Sequence, residues 1–208
     1  MYIPRILVTK KKPWNKGKLL GQKQPLSLKQ IWSIRHSLKT EKRCRDLALF
    51  NLAIDSKLRA CDLLSLRVSD VSSDGQVSRR ATILQRKTQS PVRFEITSES
   101  RRSIETWIDV ARLSDTGFLF PSRQRSSQHL SLRQYSRILE KWVSRAGLDP
   151  TMYGTHSMRR TKATLIYRQT KNIRAVQLLL GHSKLESTVR YLGIDIDDAL
   201  EISEQIDV

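Results

Sequence analysis

The sequence predicts an α+β fold, mainly helical, with one small antiparallel β-sheet. Three observations predict it. Apolar residues recur at helical spacing over most of the 208 residues. In one stretch, between Val77 and Ile96, apolar residues fall instead on alternate positions. Ser with Gln or Glu three residues later stands ahead of several helical runs, the signature of a capped helix start.

Residues 1–26 are rich in Lys, Gly and Pro and read as a basic extended arm. Ser27 with Gln30 is a capping box, followed at helical spacing by Leu28, Ile31, Ile34 and Leu38. A second helix is expected from Glu41 to about Ser56, with Leu47, Phe50 and Ile54 inward, and a short third over Ala60–Leu66. Val77, Ala81 and Ile83, then Val92, Phe94 and Ile96, predict two strands joined by Gln85–Ser90, with Lys87 in the connection. Ile104, Trp107, Ile108 and Ala111 form the stripe of a further helix. The run Phe118–Phe120 is stopped by Pro121. Ser131 with Gln134 caps a helix bearing Tyr135, Ile138, Leu139 and Trp142 and ended by Gly147. Another helix starts near His156. The next, marked by Ile173, Val176, Leu179 and Leu180, closes at Gly181, and Ser183 with Glu186 caps a last one through Leu192. Residues 27–194 thus read as one folded domain, and 195–208 as an acidic tail. Trp107 and Trp142 read as core.

Lysine and arginine total 38 against 20 acidic residues, a net charge of +18. Such a balance points to a polyanionic partner, with DNA or RNA first and a ribosomal or other structural RNA binder as the plain alternative. The charge is uneven: residues 1–40 hold ten Lys/Arg and no acid, and residues 195–208 hold six acids and no base. Lys10, Lys11 and Lys12 are the expected phosphate contacts of the arm. Two cysteines, Cys44 and Cys61, give no disulfide framework and suit a reducing compartment. No stretch approaches the ~18–20 apolar residues of a membrane span, and no secretory leader is evident. A cytoplasmic, nucleoid-associated protein without membrane contact is the expectation.

A DNA-directed enzyme must polarise a phosphodiester and supply a nucleophile. Metal nucleases cluster carboxylates for this, but here the acids are scattered, and no C-x-x-C pair or H-E-x-x-H stretch offers a zinc site. No metal and no cofactor are expected. The C-terminal third offers His156, Arg159, His182, Arg190 and Tyr191 instead. Arginine forks two N–H groups onto phosphate oxygens, histidine moves protons near neutral pH, and tyrosine can attack as a phenolate. His156 and Arg159 share a helix face, and His182 is expected at a helix start where backbone N–H groups favour an anion.

The segments Leu58–Leu66 (LRACDLLSL), Thr155–Thr161 (THSMRRT) and Leu180–Tyr191 (LGHS…TVRY) resemble the three hallmark boxes of the tyrosine recombinases, the phage integrase family. The order Arg, Lys, His-x-x-Arg, His, Tyr is the family order, and the similarity covers about residues 27–195. The resemblance implies a tyrosine recombinase catalytic domain. In it, Arg59 and Arg159 hold the non-bridging oxygens of the scissile phosphate, with His182 donating a further hydrogen bond. Lys87 protonates the departing 5′ oxygen, His156 assists proton transfer, and Tyr191 forms a 3′-phosphotyrosine link. The adjacent cations would have to ease ionisation of the phenol.

The implied partners are double-stranded DNA with specific sites, a homotetramer on that DNA, and accessory DNA-bending proteins. The implied function is site-specific recombination that integrates, excises or inverts a mobile element. Type IB topoisomerase-like relaxation and a non-catalytic DNA-binding regulator are the rival readings. Plainer readings also stand: Arg59 as a helix-start cation, Lys87 as a solvated hairpin lysine, the two histidines as caps or core. Arg160 reads as a second phosphate contact or a surface charge. Tyr135, Tyr153 and Tyr167 compete as nucleophiles, but Tyr135 belongs to an apolar stripe, and Tyr153 and Tyr167 lack the downstream position. Many family members carry a separate DNA-clamping domain ahead of the catalytic one; this chain resembles the short, single-domain members, and its lysine-rich arm is expected to replace part of that clamp. The tail is expected to dock on a neighbouring subunit.

Overall fold

In a computed structural model of the chain, the described residues are 22–123, 127–194, 200 and 203–204. Lys10, Lys11, Lys12 and most of the acidic tail lie outside them. Eight helices and two two-stranded antiparallel sheets are described. The first three helices are α1 (Leu28–Thr40), α2 (Cys44–Ser56) and α3 (Ala60–Leu64). Strands β1 (Ser72–Ser73), β2 (Gln76–Val77), β3 (Arg80–Leu84) and β4 (Pro91–Glu95) follow, then α4 (Ser98–Ala111), α5 (Leu132–Arg145), α6 (Thr155–Thr170), α7 (Ile173–Leu180) and α8 (Leu185–Leu192).

Where caps were legible the helices begin as expected. Ser27 and Gln30 close a reciprocal capping box at α1, and Ser131 accepts from the Gln134 N–H at α5. Three boundaries differ. Glu41 ends α1 rather than opening α2. Lys42 turns left-handed at φ 52°, and the Arg43 N–H returns to the Leu38 carbonyl, a helix stop with lysine where glycine is usual. The helix α3 stops at Leu64. Ser183 caps nothing: α8 starts after Lys184, with no side-chain cap.

The expected single hairpin is two. Asp74 and Gly75, both at positive φ, turn β1 into β2, so Val77 pairs with Ser72 and is separated from the strand that carries Ala81 and Ile83. β3 and β4 then pair from Arg80↔Glu95 to Leu84↔Pro91, and residues 85–90, Lys87 among them, form their connection.

The main core joins α1, α2, α4, α5 and the sheets through Ile34, Leu49, Phe50, Leu63, Phe94, Ile104, Leu119, Phe120, Tyr135 and Trp142. Trp142 is buried against Phe50 and Tyr135, and Trp107 packs partly buried with its indole N–H on the Leu119 carbonyl. At the end of the expected arm, Leu26 is buried, and its N–H donates to Thr161 Oγ1 on α6. A second, smaller cluster of Ala163, Tyr167, Val176 and Leu180 seats α7 and α8 on α6.

A buried charge network fixes α6 against this frame. Asp55 at the end of α2 takes Lys162 of α6 at 2.7 Å and also accepts from Ser100 and Thr97 at the start of α4. Lys57, left-handed at φ 54° and buried, places its ammonium 3.0 Å from both carboxylate oxygens of Glu95 on β4. Burial would raise the Asp55 carboxyl, but Lys162 and the two hydroxyls hold it below its ordinary value. This network ties the helix that bears His156 and Arg159 to the turn that bears Arg59.

Candidate active site

Four of the six expected side chains line one cavity of about 360 Å³: Arg59, Lys87, His156 and Arg159. Each arrives from a different piece of local structure. Arg59 is the extended residue ahead of α3, Lys87 lies in the β3–β4 connection, and His156 and Arg159 share the first turn of α6. Ala60, Cys61, Leu132, Ser136 and Thr155 complete the wall.

Arg159 is 3 % exposed. Its Nη2 donates to the Leu180 carbonyl at 2.7 Å and lies 3.5 Å from His182 Nε2, while Nη1 is buried with no hydrogen-bond partner among the described residues. A desolvated guanidinium with a spare N–H at the edge of a cationic cavity is a receptor for an oxyanion.

His182 follows Gly181 in the turn before α8, not at a helix start, and its own N–H is taken by the Gln177 carbonyl. The expected backbone anion site at His182 is therefore absent; only its imidazole can serve. Its Nδ1 lies 3.1 Å from Thr188 Oγ1, a fully buried hydroxyl one turn ahead of Tyr191. The His182 and Tyr191 rings meet edge to face with centroids 5.4 Å apart. Tyr191 is not among the side chains lining the cavity; it stands beside it, with Arg159 Cζ 5.9 Å and Arg160 Cζ 5.6 Å from its ring.

Arg160 is not a surface charge. It is buried, donates from Nη1 to the Lys23 carbonyl at 2.8 Å, and braces the Tyr191 ring. Gln22 completes the clasp by donating to the Arg190 carbonyl at 2.7 Å, so the segment ahead of α1 is fastened to the tyrosine helix.

The electrostatics follow from burial among cations. Burial, then Arg159 and Arg59, lowers His182 to about 4. Burial, then Arg159, Arg59, Arg160 and Lys87, holds His156 below its usual value. Both imidazoles are neutral at pH 7. Burial pushes the Tyr191 phenol up to about 12 despite the opposing pull of Arg159 and Arg160; Arg159 faces the buried hydroxyl, but no hydrogen bond of good geometry reaches it among the described residues. The neighbouring cations act in the expected direction, easing its ionisation, but in the DNA-free chain desolvation outweighs them.

A depressed histidine makes stability depend on pH in one direction. The unfolded chain takes up a proton near pH ~6.5, which the folded His182 refuses until about 4. Stability is therefore full above ~6.5 and falls as pH drops toward 4. Urea midpoints measured across that range should decline on acidification, and His182→Gln should flatten the decline. Asp55 and Glu95, held below their ordinary carboxylate values, add to the decline only below about pH 5, so its upper part belongs to the histidines.

Reasoning from sequence missed Gln85 and Thr188. Gln85 is fully buried and its Oε1 accepts from Arg59 Nη1 at 2.6 Å. A polar residue at the end of an alternating apolar strand was the available signal; for Thr188 it was a hydroxyl on the inward side of α8. Among the described residues no group of three or more His, Cys, Asp or Glu side chains could hold a metal ion, and no helix is long and apolar enough to cross a membrane.

A mainly helical domain thus brings two arginines, a lysine and a histidine to one cavity, with a second histidine and a shielded phenol beside it. The model of the phage integrase family matches residues 24–196, and the chain belongs to that family. It is 31% identical over 175 residues to the "Probable integrase/recombinase YoeC" of Bacillus subtilis, covering 84% of this chain and 91% of that one. To the tyrosine recombinase XerC of Neisseria gonorrhoeae it is 30% identical over 162 residues, which is 77% of this chain and 51% of that one. The chain thus spans about half the length of that XerC relative. The crystal structure of XerA recombinase superimposes with a TM-score of 0.71 at 19% identity, over 89% of this chain and 65% of that one. At that identity the likeness speaks for the fold.

Proposed function

We propose that this chain cuts and rejoins DNA at specific sites through a transient 3′-phosphotyrosyl link on Tyr191. The carrying observation is the cavity that unites Arg59, Lys87, His156 and Arg159, with His182 and Tyr191 against its inner wall.

In this reading the scissile phosphate enters the cavity and its non-bridging oxygens pair with Arg59 and the spare Nη1 of Arg159. The phenol oxygen attacks phosphorus. An O–P bond forms, the bond from phosphorus to the 5′ oxygen breaks, and the phenolic proton passes to a nearby base, a role that suits neutral His156. Lys87 delivers a proton to the departing 5′ oxygen, which leaves as a hydroxyl. His182 donates to a phosphate oxygen as charge builds in the transition state. The reverse sequence with a different 5′ hydroxyl rejoins strands. The energy of the broken bond is kept in the protein–DNA link, so no ATP is consumed. The neutral, buried phenol of the free chain implies that DNA binding must move Tyr191 or add a base before attack.

The partners in this reading are duplex DNA with defined sites, four copies of the chain in synapsis, and accessory DNA-bending proteins, acting at the nucleoid. The names carried by the XerC and YoeC relatives, recombinase and integrase, support a role in moving or resolving DNA segments.

The test uses a duplex selected from a randomised pool by binding to the full chain, then nicked just 3′ of the cleaved phosphate. Cleavage releases the short fragment and strands the protein on DNA. The chain should form a denaturation-resistant protein–DNA adduct, and Tyr191→Phe should bind the same duplex without forming it. Equal adduct from Tyr191→Phe, or none from the natural chain, overturns the proposal. A chain that only relaxes one supercoiled circle and never joins two selected sites favours topoisomerase-like action.

A further inference from the structure

We infer that Gln85 is a positioning residue: it holds Arg59 and the Lys87 loop in one register, so that two cations from separate elements meet the same phosphate. The inference rests on the proposed DNA cleavage and concerns a side chain that takes no part in it directly.

Gln85 follows the last residue of β3 and is 0% exposed. Its side-chain oxygen accepts two hydrogen bonds. One comes from Arg59 Nη1 at 2.6 Å and the other from Thr88 Oγ1 at 2.9 Å, the residue after Lys87. Its backbone closes the same loop: the N–H donates to the Ser90 carbonyl and the carbonyl accepts from the Gln89 N–H. The loop is also pinned from the α3 side, where Asp62 Oδ1 accepts the Arg86 N–H at 3.0 Å. The amide lies along the Gly181 turn as well, since a Cβ on Gly181 would stand 3.4 Å from Gln85 Oε1 and 3.6 Å from Nε2. The neighbouring Leu180 carbonyl holds Arg159. One buried amide therefore holds the segments that present Arg59 and Lys87 and lies beside the Leu180–Gly181 turn that anchors Arg159.

The chemistry of the group fits the task. An exposed arginine beside a loop would sample many rotamers, and fixing it on the phosphate would cost entropy at each turnover. A neutral amide oxygen aims one N–H of Arg59 without neutralising its charge, leaving the rest of the fork for phosphate. A carboxylate in its place would grip harder and compete with the phosphate. Complete burial keeps water from substituting for the amide. The amide Nε2 is itself buried without a partner, so the side chain is kept at some cost to stability.

Strand cleavage and equilibrium binding on the selected duplex are the readouts, with the full chain throughout. Gln85→Met keeps the volume and removes the acceptor. Single-turnover cleavage should fall by about 10²-fold, the scale of a misaimed reacting group, with the dissociation constant changed by less than ~3-fold. The urea midpoint should change little, because losing the unpaired buried donor offsets the two hydrogen bonds lost with the acceptor. Gln85→Glu keeps the shape but pairs with Arg59, and should cleave more slowly than Gln85→Met. A duplex carrying a methylphosphonate at the cleaved position removes the anionic oxygen that Arg59 would neutralise; there the gap between the natural chain and Gln85→Met should shrink to within ~5-fold. Full cleavage by Gln85→Met overturns the inference, as does an equal defect on both duplexes, which would mark a general structural role. A natural chain that cleaves neither duplex overturns the proposed DNA cleavage instead.

Discussion

Replacing Arg159 with lysine should lower DNA strand cleavage by about 10³-fold, the scale on which losing one preorganised donor to a developing oxyanion is felt. The guanidinium does three things from one buried position. It anchors on the Leu180 carbonyl at 2.7 Å, lies 3.5 Å from His182 Nε2, and keeps Nη1 unpaired at the cavity that Arg59, Lys87 and His156 share. Lysine carries the charge and three donors, but all on one nitrogen, and lacks the planar fork that reaches the carbonyl and the phosphate in parallel. Binding of the duplex should weaken far less than cleavage, since many phosphate contacts share the affinity. Single-turnover cleavage beside a binding isotherm measures the split. Cleavage retained within ~10-fold would remove Arg159 from transition-state stabilisation, whatever the binding does.

Gly181→Ala should destabilise the domain by roughly 2–4 kcal/mol, the sum of left-handed backbone strain and overpacking. Gly181 sits at φ +64°, and a Cβ there would fall 2.5 Å from Val92 Cγ2 on β4. Val92 is buried in the core sheet and cannot simply turn away. Gly147 gives the internal control: its φ is +71° but nothing lies within 4 Å of its would-be Cβ, so Gly147→Ala should lose only the strain, ~1 kcal/mol. Urea unfolding of both variants decides the matter. Equal losses would mean that β4 gives way without cost. The Gly181 variant should also lose cleavage beyond its stability loss, because the turn it strains carries His182 and the carbonyl that anchors Arg159.

The helices legible in the sequence were those whose apolar stripe and cap agree, as at Ser27–Leu38 and Ser131–Trp142. Boundaries failed where a lysine took a backbone conformation usually left to glycine, at Lys42, or where an Asp-Gly turn broke one apparent strand into two hairpins, at Asp74–Gly75. Arg160 stayed open between a phosphate contact and a surface charge because nothing local marks a buried arginine; its partners, the Lys23 carbonyl and the Tyr191 ring, are distant in sequence or a helix away.

The sequence by itself determined the family and the kinds of chemical group, because Arg59, Lys87, His156, Arg159, His182 and Tyr191 stand in an order and spacing that few other arrangements of a basic chain would produce. Only the tertiary structure decided how those groups are tuned and aimed: that burial among cations lowers both histidines, that burial raises the phenol, and that the Gln85 amide oxygen meets Arg59. The reason is that a side chain's type is written locally, whereas its desolvation and its hydrogen-bond partners come from segments tens of residues away that only folding brings together.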